Sequence, residues 1–97
     1  MTVAYSLYLR HKVDGEIKSV PTVKFASLGD VNSALIHNYG KRKDAPWELR
    51  HAAKSIWHIY DIAERIRGTV MKTDALHGEY VYRSDREQPV LDMDVTL

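Results

Sequence analysis

No cysteine occurs in the 97 residues, so neither a disulfide nor a thiolate metal site is available to hold this chain together. No apolar run approaches the roughly 20 residues that a membrane-crossing helix needs, and Met1 leads straight into an alternating segment instead of a charged region followed by an apolar one. A cytoplasmic protein without a targeting signal is therefore expected. Only three prolines and five glycines are present, and there is no low-complexity tract, internal repeat or linker. Residues 1–97 are expected to form a single domain, long enough to bury a core without staples. Charge of one sign is scarce overall, the net being +1, but it is unevenly spread: residues 1–72 hold 12 Lys and Arg against 7 Asp and Glu, whereas residues 73–97 hold 2 against 6. The body is basic and the end acidic.

What is there is periodicity. From Asp44 to Gly68, the residues Leu49, Ala52, Ala53, Ile56, Ile59, Tyr60, Ala63 and Ile66 recur at steps of three and four, which places them on one face of a long helix. Asp44 stands where an N-cap would accept first-turn amides, and Pro46 suits that turn. Arg65 and Arg67 favour the negative end of the macrodipole, and Gly68 suits a terminator. An earlier helix is signalled by Ser27 with Asp30 three residues on, a capping box, followed by the stripe Leu28, Val31, Leu35 and Tyr39 with Ala34 beside it, ended by Gly40.

Strand signals flank the helices. Val3, Tyr5, Leu7 and Leu9 alternate with Ala4, Ser6, Tyr8 and Arg10, and Asp14-Gly15 suits a two-residue hairpin that would oppose Val13 to Glu16 and Leu9 to Val20. The second strand runs over residues 16–20, ends or reaches an edge at Pro21, and resumes from Thr22 to Phe25. Thr69 to Thr73 and Glu79 to Arg83 read as a hairpin about His77-Gly78, Ser84 to Pro89 as a polar loop, and Val90 to Leu97 as a last strand. The fold class expected is α+β, a mainly antiparallel sheet with two helices packed on one face, in the order β-β-α-α-β-β-β.

Chemistry-bearing patterns are few. His51 and His58 stand seven apart, about two helical turns, too far to share one zinc ion, and His11, His37 and His77 lie elsewhere, so no metal site is expected. No nucleophile motif or phosphate-cradling glycine loop is present, which argues against an enzyme and implies no cofactor. Asp92 and Asp94 share one side of the last strand, where carboxylates protect an edge. With Asp85 and Glu87 they make a secondary acidic patch.

The strongest pattern is Lys41-Arg42-Lys43, with Arg50 and Lys54 following and Trp47 and Trp57 near. Cations ahead of a helix N-terminus are mildly unfavourable, and Arg beside Trp is the composition of interface hot spots. A binding site formed by Lys41, Arg42, Lys43, Trp47, Arg50 and Lys54 is expected. Tyr8 and Arg10 with Tyr80 or Tyr82 could add an aromatic patch on the sheet face away from the helices. The function this supports is a small non-catalytic binding protein that docks on an acidic protein partner. In size and composition it is like phage-type inhibitors, anti-CRISPR proteins among them, that block a nucleic-acid-handling machine; the acidic end offers phosphate mimicry as a second route. The alternative is direct nucleic-acid binding through the basic linker. A monomer and a homodimer are both compatible with the sequence.

Overall fold

The computed structural model describes residues 2–91, and for residues 21–23 the backbone path alone. One six-stranded sheet and one helix make up the described fold. The strands are β1 (Thr2–Arg10), β2 (Ile17–Phe25), β3 (Glu48–Ala53), β4 (Ile56–Tyr60), β5 (Ile66–Ala75) and β6 (Val81–Tyr82); the helix, α1 (Leu28–Tyr39), follows β2. Across the sheet they lie in the order β3-β4-β5-β1-β2-β6, all neighbours antiparallel except β2 and β6, which run parallel. The observed order is thus β-β-α-β-β-β-β in a mixed sheet. The expectation of two helices on an antiparallel sheet fails at its second helix and at β6.

The long helix expected over Asp44–Gly68 is instead β3, β4 and the start of β5. Ile56-Trp57-His58-Ile59-Tyr60 is β-branched and aromatic, residue types that suit a pleated surface. Apolar side chains stand on both faces of these strands, and their spacing across two turns mimics a helical stripe. The turns carry no glycine: Ser55 and Glu64 take the left-handed conformation, with φ of 61° and 64°. Asp61 organises the second turn, its Oδ1 accepting from the Ala63 and Arg65 amides while its own amide donates to the Arg65 carbonyl. Gly68 is a strand residue; a Cβ there would lie 2.1 Å from the Tyr8 carbonyl oxygen. Its role is close approach of β5 to β1, not helix termination.

Helix α1 forms where expected. Ser27 is the N-cap, its hydroxyl accepting from the Asp30 amide at 3.1 Å, and Gly40 closes the helix by donating to the Ile36 carbonyl. Its buried residues Val31, Ala34, Leu35 and Tyr39 meet Leu7, Leu9, Val20, Phe25, Ile59 and Val70 from the sheet. The opposite face of the sheet carries Tyr8, Thr69 and His58 in one cross-strand row, by the alternation of side chains along each strand.

Three strand expectations fail as well. The first hairpin pairs Arg10 with Ile17 and Leu9 with Lys18, so six residues, 11–16, lie between the last paired positions, and Leu9 and Val20 reach the same core without being opposed. The register with β1 then slips between Ser6 and Tyr8, opposite the stretch holding Pro21, which has no amide to give the ladder. The turn at His77-Gly78 exists, with Gly78 at φ 86°, but leads to no hairpin. Both edges of β5 are already taken by β1 and β4, so β6 crosses to pair with β2. Val90 and Leu91 lie outside any strand, Leu91 buried in the core with its amide on the Asn38 side chain; the remainder of the expected last strand lies outside the described residues.

Candidate docking cleft

The segment between α1 and β3 turns on itself, the Arg42 amide donating to the Tyr39 carbonyl and the Ala45 amide to the Arg42 carbonyl. It is tied to the β4–β5 turn by the Ile62 amide, which donates to the Asp44 carbonyl. Beneath this junction lies a buried ionic cluster. Arg67, 2% exposed, reaches Asp44 Oδ2 at 2.7 Å and Asp61 Oδ2 at 2.9 Å. Arg42 adds a two-pronged contact to Asp44, at 2.9 and 3.2 Å, and Arg65 Nε reaches Asp61 Oδ2 at 3.0 Å. Trp47, 5% exposed, seals the cluster: its ring stacks on Tyr39 at 4.7 Å, with the Arg42 and Arg67 guanidinium groups 5.1 and 5.8 Å from its centre.

Both carboxyls are held below their ordinary value. Burial pushes the Asp61 carboxyl up, but the Arg65 amide and the Arg67 guanidinium more than offset that and hold it below its ordinary value. Burial likewise opposes ionisation of Asp44, and the Arg42 guanidinium, with Arg67 behind it, outweighs it.

Above the cluster opens a cleft of about 600 Å³ whose walls include Lys41, Lys43, Ile62 and Arg65. Lys41 and Lys43 are exposed, and Ile62 is 63% exposed, a large apolar side chain held among cations. Five cationic side chains, Lys41, Arg42, Lys43, Arg65 and Arg67, thus meet two carboxylates; Asp44 also lines the cleft, but both carboxylates are buried and paired with arginines. The cleft can attract an anionic group and offers it an apolar contact.

The structure divides the six residues expected to form the binding site. Lys41, Arg42 and Lys43 line the cleft. Trp47 is core, only 5% exposed, and does not line the cleft. Arg50, on β3, is held by Glu48 and Glu64 and lies 4.6 Å from the Tyr60 ring centre, so its charge is locally matched. Lys54 sits in the β3–β4 turn, at the far end of β3 from the cleft, because the strand replaces the helix that was to bring these residues together. Asp85 and Glu87 are exposed in the turn after β6, and Asp92 and Asp94 lie outside the described residues. Comparison with protein-family models, curated proteins and solved structures finds no match.

Sequence reasoning missed Asp61, Ile62 and Arg67 as parts of the site. Asp61 had a usable signal, an Asp two residues ahead of the amide it caps; Arg67 had none, because its partner Asp44 is 23 positions away. The aromatic patch is not assembled either. Tyr8 stands on the face away from α1, whereas Tyr82 packs on Phe25, ring centres 6.1 Å apart, and on Tyr80 at 4.7 Å. His51 lies 5.5 Å from the Trp57 ring, while His58 Nδ1 meets Thr69 Oγ1 at 3.3 Å on the other face. Among the described residues no three His, Cys, Asp or Glu side chains come together as metal ligands, and no helix is long and apolar enough to cross a membrane.

Proposed function

We propose that this chain is a non-catalytic binding protein whose cleft, walled by Lys41, Lys43, Ile62 and Arg65, docks on an acidic surface of a partner protein. The observation that carries this is the pair of exposed lysines flanking an exposed isoleucine, over acids already consumed by buried arginines. An apolar contact ringed by charge of one sign suits a protein surface better than a phosphate backbone, which would use the cations and leave Ile62 wet. A phage-type, anti-CRISPR-like inhibitor that blocks a nucleic-acid-handling machine is one form such a protein takes. For that form the support is size and composition; for the docking itself it is the cleft.

The test is fluorescence anisotropy with two labelled probes, a tetraglutamate peptide and a mixed-sequence single-stranded DNA, each titrated across salt. The expected result is peptide binding weakened about tenfold or more by Lys41→Glu with Lys43→Glu. Strong DNA binding that falls steeply with salt, with no peptide binding, would assign the cleft to nucleic acid and reject the proposal.

A further inference from the structure

Beside α1 and the 40–47 segment is a second hollow, about 230 Å³, lined by Leu35, Ile36, Tyr39, Gly40, Pro46 and Trp47. Every lining side chain is apolar or aromatic, and Ile36 on its rim is 58% exposed. The hollow is smaller than the roughly 300–1,000 Å³ of small-molecule sites and suits a single side chain. It is linked to the cationic cleft through two contacts: Gly40, which lines it, precedes Lys41 of the cleft, and the Arg42 guanidinium, which lines the cleft, lies 5.1 Å from the centre of the Trp47 ring, which lines the hollow.

We infer that the hollow is an anchor pocket for one aliphatic or aromatic side chain of an acidic peptide segment whose carboxylates occupy the neighbouring cleft. This rests on the docking reading above and gives its partner a chemical class, an acidic segment bearing an apolar anchor. Charge complementarity chooses the occupant. An apolar side chain delivered on an uncharged segment would leave Lys41 and Lys43 unmatched, and one delivered on a basic segment would be repelled. The geometry is that of a small interface: a buried apolar anchor beside a rim of charges that steer and orient.

The experiment compares labelled tetraglutamate peptides carrying one Leu, or one Ala at the same place, at either end. Binding is read by anisotropy and by the emission of Trp47 in a Trp57→Phe background. The Leu peptide, in at least one of its two arrangements, should bind about tenfold or more tightly than its Ala counterpart, and it alone should shift Trp47 emission. Ile36→Gln should abolish that gain and leave the affinity for the Ala peptide unchanged. Equal binding of Leu and Ala peptides, with both still lost on Lys41→Glu, would overturn the anchor pocket and leave the docking cleft standing. Loss of all peptide binding would overturn both. If Asp92→Asn with Asp94→Asn in the full chain tightened both peptides about tenfold, the pocket would belong to the chain's own residues 92–97, and the inference would fall.

Discussion

Replacing Asp61 by Ala should remove a large part of this protein's stability. The side chain accepts from the Ala63 amide at 2.9 Å, the Arg65 amide at 3.0 Å, Arg65 Nε at 3.0 Å and Arg67 Nε at 2.9 Å, so one truncation unties the β4–β5 turn and strips a buried guanidinium of one of its two acids. Arg67 is 2% exposed and cannot swing into water without pulling β5 off Trp47. Breaking a buried ion pair from one side costs about 3–5 kcal/mol, against a total of about 5–15 kcal/mol for a domain. Near 100 residues, each kcal/mol moves the midpoint by about 4–8 °C, so a fall on the order of 15–30 °C is expected in thermal unfolding followed by circular dichroism. Arg65→Ala is the internal control. That guanidinium is more than half exposed, and its removal should cost no more than about 1 kcal/mol. If Asp61→Ala and Arg65→Ala had equal effects in urea titrations, or if Asp61→Ala cost under about 1 kcal/mol, the cluster would not be what fixes the cleft floor.

Acid should act through the same two carboxyls. Asp44 and Asp61 are held below the ordinary aspartate value of 3.8, so the unfolded chain binds protons before the folded one does; their contribution is complete above about pH 5 and disappears as pH drops through the lower folded values. Urea midpoints measured from pH 6 down to pH 2 should show this slope, and Asp61→Asn should flatten it. Gly68→Ala should destabilise by about 3 kcal/mol or more, because the new methyl would sit 2.1 Å from the Tyr8 carbonyl oxygen, whereas Gly15→Ala meets no atom and bears only the strain of φ 71°, about 1–2 kcal/mol. Ser27→Ala should cost about 1 kcal/mol through loss of the α1 cap, visible as a lower melting temperature with unchanged peptide binding. Lys41→Glu with Lys43→Glu, both exposed, should leave the urea midpoint nearly unmoved.

Helix α1 and the β1 alternation were legible because their signals are local: Ser27 and Asp30 cap within one turn, and Leu7 and Leu9 face the core by simple alternation. The misreading of residues 44–68 has an equally specific origin. Hairpins announce themselves by Gly or Asn in left-handed turns, and here Ser55 and Glu64 occupy those positions, so the two chain reversals left no mark. With the reversals hidden, apolar residues from two faces of three strands fell into steps of three and four. By local pattern Asp44 and Arg67 stand as a cap and a dipole partner at opposite ends of a rod. Folding brings them to 2.7 Å. The crossing of β6 to β2 was likewise invisible, since it depends on β5 having no free edge.

The basic segment keeps its exposure although the helix meant to follow it does not exist, and the reason is the fate of the nearby acids. In a helical arrangement Asp44 would cap an N-terminus at the surface, beside Lys41 and Lys43, and would offset them. In the sheet, the β4–β5 turn delivers Arg67 beneath the segment, and Asp44 turns inward to meet it together with Arg42. Asp61, the other acid at the junction, is taken by Arg67 and Arg65. The demand of one buried arginine for counter-charge thus removes both carboxylates from the surface and leaves Lys41 and Lys43 to solvent. An Arg67→Met variant should therefore do more than repack the core. Asp44 would lose the deeper of its two arginine partners and keep only Arg42 at the surface side, leaving its charge nearer the lysines and weakening tetraglutamate binding, while Arg67→Met with Asp44→Asn, which keeps the segment free of negative charge, should bind the peptide as the parent does. Equal binding by Arg67→Met and the parent, in folded samples matched by circular dichroism, would show that the lysines owe nothing to the cluster below them.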